Sequence, residues 1–414
     1  MKLIFEIAFT HLLHRKRQTV ISILGVSLGV GFFIGMAAMM QGFQHYFVAK
    51  IIDVWPHITI KDEFRTAPIQ PVQRLYQNGV VALHGLKPRE ELRGIRDGEA
   101  MVEFLNKKDG LYAAPTLRAQ AFLRYGVKDV STTVVGIDPE KERLVGQLEK
   151  DLIRGKLNAL HSVSNGIILG EGVADKLGAK MGNIISVISP AGIILRMKVV
   201  GIFQTGITAI DNFDSYALLK KAQILQNRPN VINQIRIRLE DVDTAGKIAR
   251  QIEAQYRYRT ESWKETYQNV LGIFVIQNSI MYSTVGAILI VAGFGIFNII
   301  STIIHEKARD IAILKSIGLT EGDIRLTFLL EGVIVGLVGT LSGWVLGRLI
   351  VIGLGSIQFE IEGFVKTEGF ILYETYLQYM IAGGFALLAS SLAAFLPARK
   401  AAQLNPVDII RGGV

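Results

Sequence analysis

Four long apolar stretches divide the chain very unevenly. One lies near the N-terminus, at residues 20–40, and three crowd the last third, at residues 280–304, 326–346 and 379–396. A helix rises about 1.5 Å per residue, so about 20 apolar residues are enough to cross the hydrocarbon core of a bilayer. The pattern predicts four transmembrane helices, with a long and more polar segment between the first and the second.

The short segments beside the predicted spans set the expected orientation. Basic residues flank the first and the last span, namely Lys2, Arg15, Lys16, Arg17, Arg399, Lys400 and Arg411. Positively charged segments stay on the cytoplasmic side of a membrane. We therefore expect both termini in the cytoplasm and the long polar segment outside. The first stretch is longer than the apolar core of a signal peptide, so we interpret it as a retained anchor.

The long polar segment has the patterning of a mixed α/β domain. Runs rich in Val, Ile and Thr predict strands at residues 57–61, 132–137, 184–188, 193–203 and 234–239. Helical periodicity appears at residues 171–177 and 244–256. Residues 63–110 are more weakly patterned, and we expect a separate subdomain there. The spacing of Phe43, Phe47 and Ile51 predicts that the first apolar helix continues beyond the bilayer as far as Pro56.

The fold class that these patterns predict is an α-helical membrane protein with four transmembrane helices. It also has a large mixed α/β extracytoplasmic domain, inserted between helices 1 and 2. Glycines spaced four apart, such as Gly25 and Gly29 or Gly339, Gly343 and Gly347, offer close-packing helix faces. Whether those faces pack within one chain or between two chains stays open.

Composition and motifs give little support to catalysis or metal binding. The absence of cysteine excludes disulfides and thiolate–metal sites. Gly25-Val26-Ser27-Leu28-Gly29 has the spacing of a hydrolase nucleophile, but a serine inside a membrane helix lacks the strand–turn–helix elbow of that site. His305-Glu306 has no second histidine one turn later, as a zinc-protease motif requires. We expect no catalytic residue and no metal.

The formal net charge of +9 raises the question of a nucleic-acid partner. The basic residues are dispersed without interleaved aromatic residues, and an external domain does not meet DNA. A phosphate-binding Gly-x-x-x-x-Gly-Lys-Ser/Thr loop is also missing from the sequence. We therefore expect that the chain is not an enzyme, binds no nucleic acid and binds no cofactor. Energised work would need ATP and Mg on a partner ATPase.

Residues 305–318, directly after the second span, have the pattern of a partner-docking helix. The segment has a charged end and an apolar end, and Gly318 is placed as its stop. Thr320, with Asp323 three residues later, caps the next helix. We predict that Ile311 and Leu314 are exposed as a knob for a protein cleft. An ordinary interfacial loop is the alternative.

Ionisable residues near the cytoplasmic face have less specific interpretations. His11 and His14 are expected at the headgroup surface. Glu331 lies one to two turns into the third span, where we expect snorkelling or a pair with Arg325 rather than proton transport. The tail contains Pro397, which is expected to kink the helix at the membrane edge, and then the two headgroup anchors Arg399 and Lys400.

The layout and several motifs resemble the ABC-transporter permeases of the MacB/FtsX superfamily, in particular the lipoprotein-releasing (LolC/LolE) type. The motifs lie at residues 41–44, 55–58, 199–203, 214–223, 297–302, 306–318 and 397–399. The resemblance implies that the long segment is a MacB-like periplasmic core domain. It also implies that the short cytoplasmic helix couples to an ATPase through Glu306, Lys307, Arg309, Asp310, Ile311, Leu314, Lys315 and Gly318.

Permeases of this type work as dimers, so the resemblance implies a second permease copy, identical or different, and a cytoplasmic ABC ATPase dimer. Lipoprotein cargo, membrane lipids and a periplasmic chaperone are the further partners implied. Acyl chains would meet Met36, Met40, Phe43, Phe274 and Ile280, although ordinary helix packing explains these residues equally well. The implied location is the bacterial cell inner membrane, with multiple passes.

The expected organisation follows from the spans and the resemblance together. Its parts are a cytoplasmic amphipathic helix (1–19), span one with a stalk (20–44), the periplasmic domain (45–262), a stalk with span two (263–304), the coupling helix and turn (305–323), span three (324–350), a short periplasmic loop (351–375), span four (376–397) and the tail (398–414).

One departure from the Lol pattern concerns the recruitment of a periplasmic chaperone. The Lol permease that recruits the chaperone has a long loop between two late strands, whereas Ser189-Pro190-Ala191-Gly192 predicts a short hairpin here. Direct chaperone capture is therefore in doubt: either the chain is the partner permease of a heterodimer, or its cargo is something else. The alternatives are MacB-like export of periplasmic peptides or toxins, and FtsX-like signalling to a cell-wall hydrolase.

Overall fold

The computed structural model describes residues 2–63, 94–357, 360–362 and 366–405. The helices are α1 Lys2–His14, α2 Lys16–Val54, α3 Gly98–Asn106, α4 Pro139–Val145, α5 Ala159–Ser162, α6 Glu171–Leu177, α7 Thr208–Phe213, α8 Leu219–Leu225, α9 Ala245–Tyr256, α10 Trp263–Thr266, α11 Gln268–Glu306, α12 Ala308–Ser316, α13 Glu321–Gly355 and α14 Tyr376–Ala402. Most of the weakly patterned segment 63–110 and the end of the tail, residues 406–414, lie outside the described residues.

The strands are β1 Ile58–Lys61, β2 Leu111–Tyr125, β3 Lys128–Ile137, β4 Leu152–Gly155, β5 Gly166–Gly170, β6 Ile184–Ile188, β7 Ile194–Phe203, β8 Asp214–Leu218, β9 Gln234–Leu239, β10 Thr260–Ser262, β11 Glu360–Glu362 and β12 Lys366–Glu368. The five predicted strands correspond to β1, β3, β6, β7 and β9, and the two predicted helices to α6 and α9. The combination of apolar helices with a mixed α/β domain confirms the coarse fold class.

In the part of the chain that the structure describes, four helices, α2, α11, α13 and α14, are long and apolar enough to cross a membrane. Each contains one of the four apolar stretches of the sequence. The helix α2 runs without a break from Lys16 to Val54, which confirms the predicted continuation of the first apolar helix. The chain divides into two compact units. The helical unit comprises the described parts of 1–46, 272–359 and 368–414, and the sheet unit those of 47–271 and 360–367.

The sheet unit is built on a ten-stranded sheet in the order β10-β1-β9-β2-β3-β8-β5-β7-β4, with β6 pairing to β2 and β7. Most neighbours are antiparallel, while β3–β8 and β5–β7 are parallel. The strands β6 and β7 form the predicted short hairpin, in which the Ser189 amide donates to the Ile193 carbonyl. One core cluster packs Val173 and Leu177 of α6 against sheet residues such as Leu123.

Glycines let the helices of the helical unit approach one another closely. Three glycines of α13 face three residues of α2 that are one helical turn apart. A Cβ added to each glycine would lie very close to the Cβ of the facing residue: 2.7 Å for Gly339 and Val26, 2.6 Å for Gly343 and Val30, and 2.8 Å for Gly347 and Ile34. Real side-chain carbons do not approach so closely, so only glycine fits these positions. This glycine row therefore packs within the chain, which answers for these residues the question that the sequence left open.

A strap formed by residues 370–375 runs directly over the middle of α2, at Gly42. A Cβ added at Gly42 would lie 2.7 Å from the Ile371 carbonyl carbon and 2.8 Å from the Tyr373 nitrogen. The Tyr373 amide donates to the Ala38 carbonyl over 3.0 Å, and its ring stacks on His45 with 4.3 Å between ring centroids. The strap and α2 are thus in backbone contact.

Candidate coupling site

The predicted partner-docking segment forms a separate helix between α11 and α13. The helix α12 begins after Lys307 and ends at Ser316, and Gly318 follows it with a φ of +114°. A side chain at that φ would be strained, so glycine permits the sharp reversal into α13. Thr320 and Asp323 form a full capping box at the start of α13, as predicted.

The buried face of α12 differs from the predicted one. Ile311 is only 3% exposed and packs in the core of the helical unit, and Leu314 is half-buried against the same core. The prediction that these two residues are exposed as a knob is therefore wrong. Instead, Ile313 (46% exposed) and Ile317 (74% exposed) are the exposed apolar side chains of this turn. They are one helical turn apart, so they form a single apolar stripe.

The charged end of α12 remains exposed. Glu306, Lys307, Arg309 and Asp310 are all exposed side chains. The Lys307 Nζ donates to Asp310 Oδ2 over 2.8 Å, and Glu306 pairs with Arg15, which lies between α1 and α2. Exposed pairs of this kind contribute little to stability. The four charges are therefore available for contacts with another molecule.

Lys315 connects α12 to the end of α14. Its Nζ donates to the carbonyls of Ala402 and Leu404, each over 2.8 Å, and lies 3.7 Å from Glu321 Oε1. These carbonyls lie at the C-terminal end of α14, where a positive charge is favourable. Lys315, predicted as a coupling residue, therefore holds α12 against the tail.

The tail residues occupy two different environments. Pro397 is buried, and α14 continues past it to Ala402, whereas Arg399 and Lys400 are exposed in the last turns of the helix. Two exposed positive charges at a helix C-terminus suit the predicted headgroup anchor.

The amphipathic helix α1 is fixed to the helical unit by a buried polar contact. The Nδ1 of His11 lies 2.7 Å from Oε1 of Glu331, which is fully buried in α13. The prediction that Glu331 pairs with Arg325 is therefore wrong. The predicted position of His11 at the headgroup surface is also wrong, because its side chain is mostly buried. His14 is exposed, as expected at a surface.

The sequence pattern alone could not identify this contact, because it joins residues far apart in the chain. The apolar spacing of Ile4, Ala8 and Leu12 is the signal that remains, since all three are buried on the same face of α1 as His11.

The proposed acyl-chain contacts fall into two groups. Met36 and Met40 pack partly buried against the helical core. Phe43 and Phe274 meet edge to face, with ring centroids 6.1 Å apart, and Phe274 is buried. Ile280 is 55% exposed on α11. The structure thus brings Phe43 and Phe274 together, and of the five residues it leaves Ile280 the most open to a lipid.

The sheet unit contains a buried ion pair and, elsewhere, a half-buried carboxyl group, Asp151, whose pKa is raised. Arg236 Nη1 donates to both oxygens of the buried Glu142, over 2.8 and 3.0 Å. Burial raises the pKa of Asp151 to about 6, although nearby Lys50 acts in the opposite direction. Among the described residues, no group of three His, Asp or Glu side chains could hold a metal ion.

Two family models match the chain. The MacB-like periplasmic core domain matches residues 19–255, and the FtsX-like permease C-terminal model matches residues 282–406. The second match contains the whole of α12, α13 and α14.

Several relatives match along nearly the whole chain. The lipoprotein-releasing system transmembrane protein LolC of Neisseria meningitidis is 27% identical over 95% of this chain and 94% of its own length. LolE of the same system in Haemophilus influenzae is 25% identical over 94% and 93%. The macrolide export ATP-binding/permease protein MacB of a Shewanella species is 24% identical over 98% of this chain but only 60% of its own length.

Proposed function

Because this chain belongs to the MacB/FtsX superfamily of ABC transporter permeases, we propose that it is the permease subunit of a lipoprotein-releasing transporter. It would use ATP hydrolysis by a separate ATPase to move lipoproteins from the outer leaflet of the inner membrane toward the outer membrane. Its sheet unit would be the periplasmic domain inserted between the first and second spans. ATP and Mg would bind to the ATPase, and the permease would work as a dimer with a second copy.

The arrangement of α12 is the observation that carries this proposal. Its inner face is held by the burial of Ile311 and by the bonds of Lys315 to the α14 carbonyls. Its outer face presents Arg309, Asp310 and the apolar Ile313. A helix that is fixed on one side and exposed on the other transmits a push from a bound protein to the spans. An ordinary interfacial loop would need no such attachment.

The similarity to LolC and LolE over nearly their full lengths supports lipoproteins as the cargo. The short hairpin between β6 and β7 supports a further restriction. A chain without a long projecting loop here is suited to act beside a second, different permease that recruits a chaperone. We therefore propose a heterodimer.

The coupling role is tested by reversing one charge of α12. Arg309→Glu should weaken binding of the cytoplasmic ATPase subunit by about tenfold, which corresponds to about 1.4 kcal/mol. The affinity is measured with the purified full-length permease in lipid nanodiscs. Lys220→Glu, on the exposed surface of α8, is the matched control and should bind normally. Equal affinity for Arg309→Glu and wild type contradicts the assignment.

The cargo is tested with membrane vesicles that contain the permease, its partner permease and the ATPase. An acylated reporter protein should leave the membrane only when ATP is supplied. The same reporter anchored by a transmembrane helix is the control, because acyl chains are much easier to withdraw than a spanning helix. Export of a soluble peptide without release of the acylated reporter would support MacB-like transport instead. ATP-dependent activation of a cell-wall hydrolase without any release would support FtsX-like signalling.

A further inference from the structure

A groove of about 550 Å³ lies between α1, the end of α11 and α12. It is within the helical unit and borders the residues assigned above to ATPase coupling. On one side it is lined by α1, and on the other by the turn into α12 and by α12 itself. The residues that matter here are Glu6, Thr10 and His14 on the first side, and Lys307, Asp310 and Ile313 on the second. A volume of this size accommodates several side chains of another molecule.

The two exposed stripes of α1 differ in chemistry. Glu6, Thr10 and His14, which are spaced four apart, form a polar stripe that lines the groove. Phe5 and Phe9, with Leu13, form an apolar stripe that does not line it and is about half exposed. A lipid would cover the apolar stripe and leave the polar one in water. Ile7, Ile303, Ile313 and Leu314 add apolar surface to the groove. The groove therefore suits a protein segment that carries both polar and apolar side chains.

Both walls of the groove are fixed in place. The helix α1 is held by the buried contact of His11 with Glu331 and by packing of Ile4 and Leu12. Arg15 pairs with Glu306, which ties the end of α1 to the start of the coupling turn. Fixed walls lose little side-chain entropy when a partner binds, so they favour a defined interface.

We propose that this groove receives a segment of the cytoplasmic ATPase, so that α1 forms the second wall of the docking site. This inference rests on the proposed function, because it extends the interface from α12 onto the N-terminal helix. The exposed charges suit an occupant with groups of both signs, since Lys307 and Asp310 lie side by side on one wall. Ile313, on the same wall, would supply an apolar contact with the partner.

The absence of cysteine from the chain permits a clean footprinting experiment. Three single-cysteine variants of the full-length permease are prepared in nanodiscs: Thr10→Cys in the groove, Ser316→Cys on α12 and Arg17→Cys as an exposed control that does not line the groove. The rate of maleimide labelling is measured with and without the cytoplasmic ATPase subunit. At about ten times the dissociation constant, the free fraction is about one-tenth, so covered sites label about tenfold more slowly.

We expect the ATPase to slow labelling at Thr10→Cys and at Ser316→Cys, and to leave Arg17→Cys unchanged. Protection of Ser316→Cys alone overturns the inference but leaves the proposed function intact. Equal protection of Thr10→Cys and Arg17→Cys also overturns it, since the footprint would not follow the groove. If neither groove nor α12 is protected, the proposed function fails as well. A further comparison is made without any ATPase. Slower labelling of Thr10→Cys in nanodiscs than in detergent would then identify lipid as the occupant and overturn the inference.

Discussion

Asp151 shows how a single side chain can make the sheet unit sensitive to pH. Partial burial raises its pKa from 3.8 to about 6, and the like charge of Asp211 adds to the effect, against the opposing charge of Lys50. Between these two values the folded protein holds a proton that the unfolded chain releases. Stability therefore falls as the pH rises through this window, and the penalty is fully present above about pH 6.

Replacing Asp151 with asparagine should remove this penalty. Asp151→Asn keeps the size of the side chain but carries no charge. The melting temperature of the variant minus that of wild type should therefore be larger at pH 8 than at pH 5. The measurement is thermal unfolding of the full-length protein at both pH values. Asp243→Asn is the control, because the Asp243 side chain is 93% exposed. A difference between Asp151→Asn and wild type that does not change with pH contradicts the assignment.

Also at the residue scale, the boundaries of α12 could be predicted from the sequence, but its buried face could not. The segment has apolar residues at four consecutive positions, from Ile311 to Leu314, so periodicity could not fix which of them faces inward. Its boundaries were predictable because Gly318 and Thr320 are strong local signals. Its buried face was not, since the choice between Ile311 and Ile313 depends on contacts with other helices.

At the scale of elements, the glycine row of α13 determines how closely two spans pack. Gly343→Ala places a Cβ 2.6 Å from Val30 Cβ, so α2 and α13 must separate. We expect a loss of about 1–3 kcal/mol, typical of overpacking in a core. The measurement is thermal unfolding of the full-length chain in detergent.

Gly353→Ala, on the same helix, is the matched control for that substitution. An added Cβ there meets nothing within 4 Å among the described residues, and alanine favours a helix over glycine by up to about 1 kcal/mol. Its stability should be unchanged or higher. A comparable loss in the two variants would show that helix packing at Gly343 is not the cause.

Some strands of the sheet unit could be predicted from the local sequence, and one could not. β6 and β9 were predictable because they are short runs rich in β-branched residues. The fifteen-residue β2 was missed, since Pro115 and several alanines argue against a strand. Its second half nevertheless alternates, with Leu117, Ala119, Ala121 and Leu123 buried and the residues between them exposed. That period-two pattern was the available signal.

For the whole molecule, the even number of predicted spans leads to an expected topology. Four crossings leave both chain ends on one side, and the basic residues near them favour the cytoplasm. The sheet unit would then face the periplasm, while α12 would face the ATPase. The proposed function requires this orientation, because a force applied at α12 would then act on cargo outside.

The topology is tested with a reporter fused to either end of the full-length chain. Alkaline phosphatase, which is active only after export, should be inactive at both termini. The same reporter inserted at Gly192, in the turn of the hairpin between β6 and β7, should be active. Activity at one terminus and not at the other would exclude an even number of crossings.

The contact between Gly42 and the strap limits how the first span can move. With no room for even a methyl group between the two backbones, α2 cannot rotate about its own axis or slide lengthwise without displacing Tyr373 and the start of α14. In the transport cycle proposed above, a movement driven by the ATPase would then shift the first, third and fourth spans of this chain together as one rigid body.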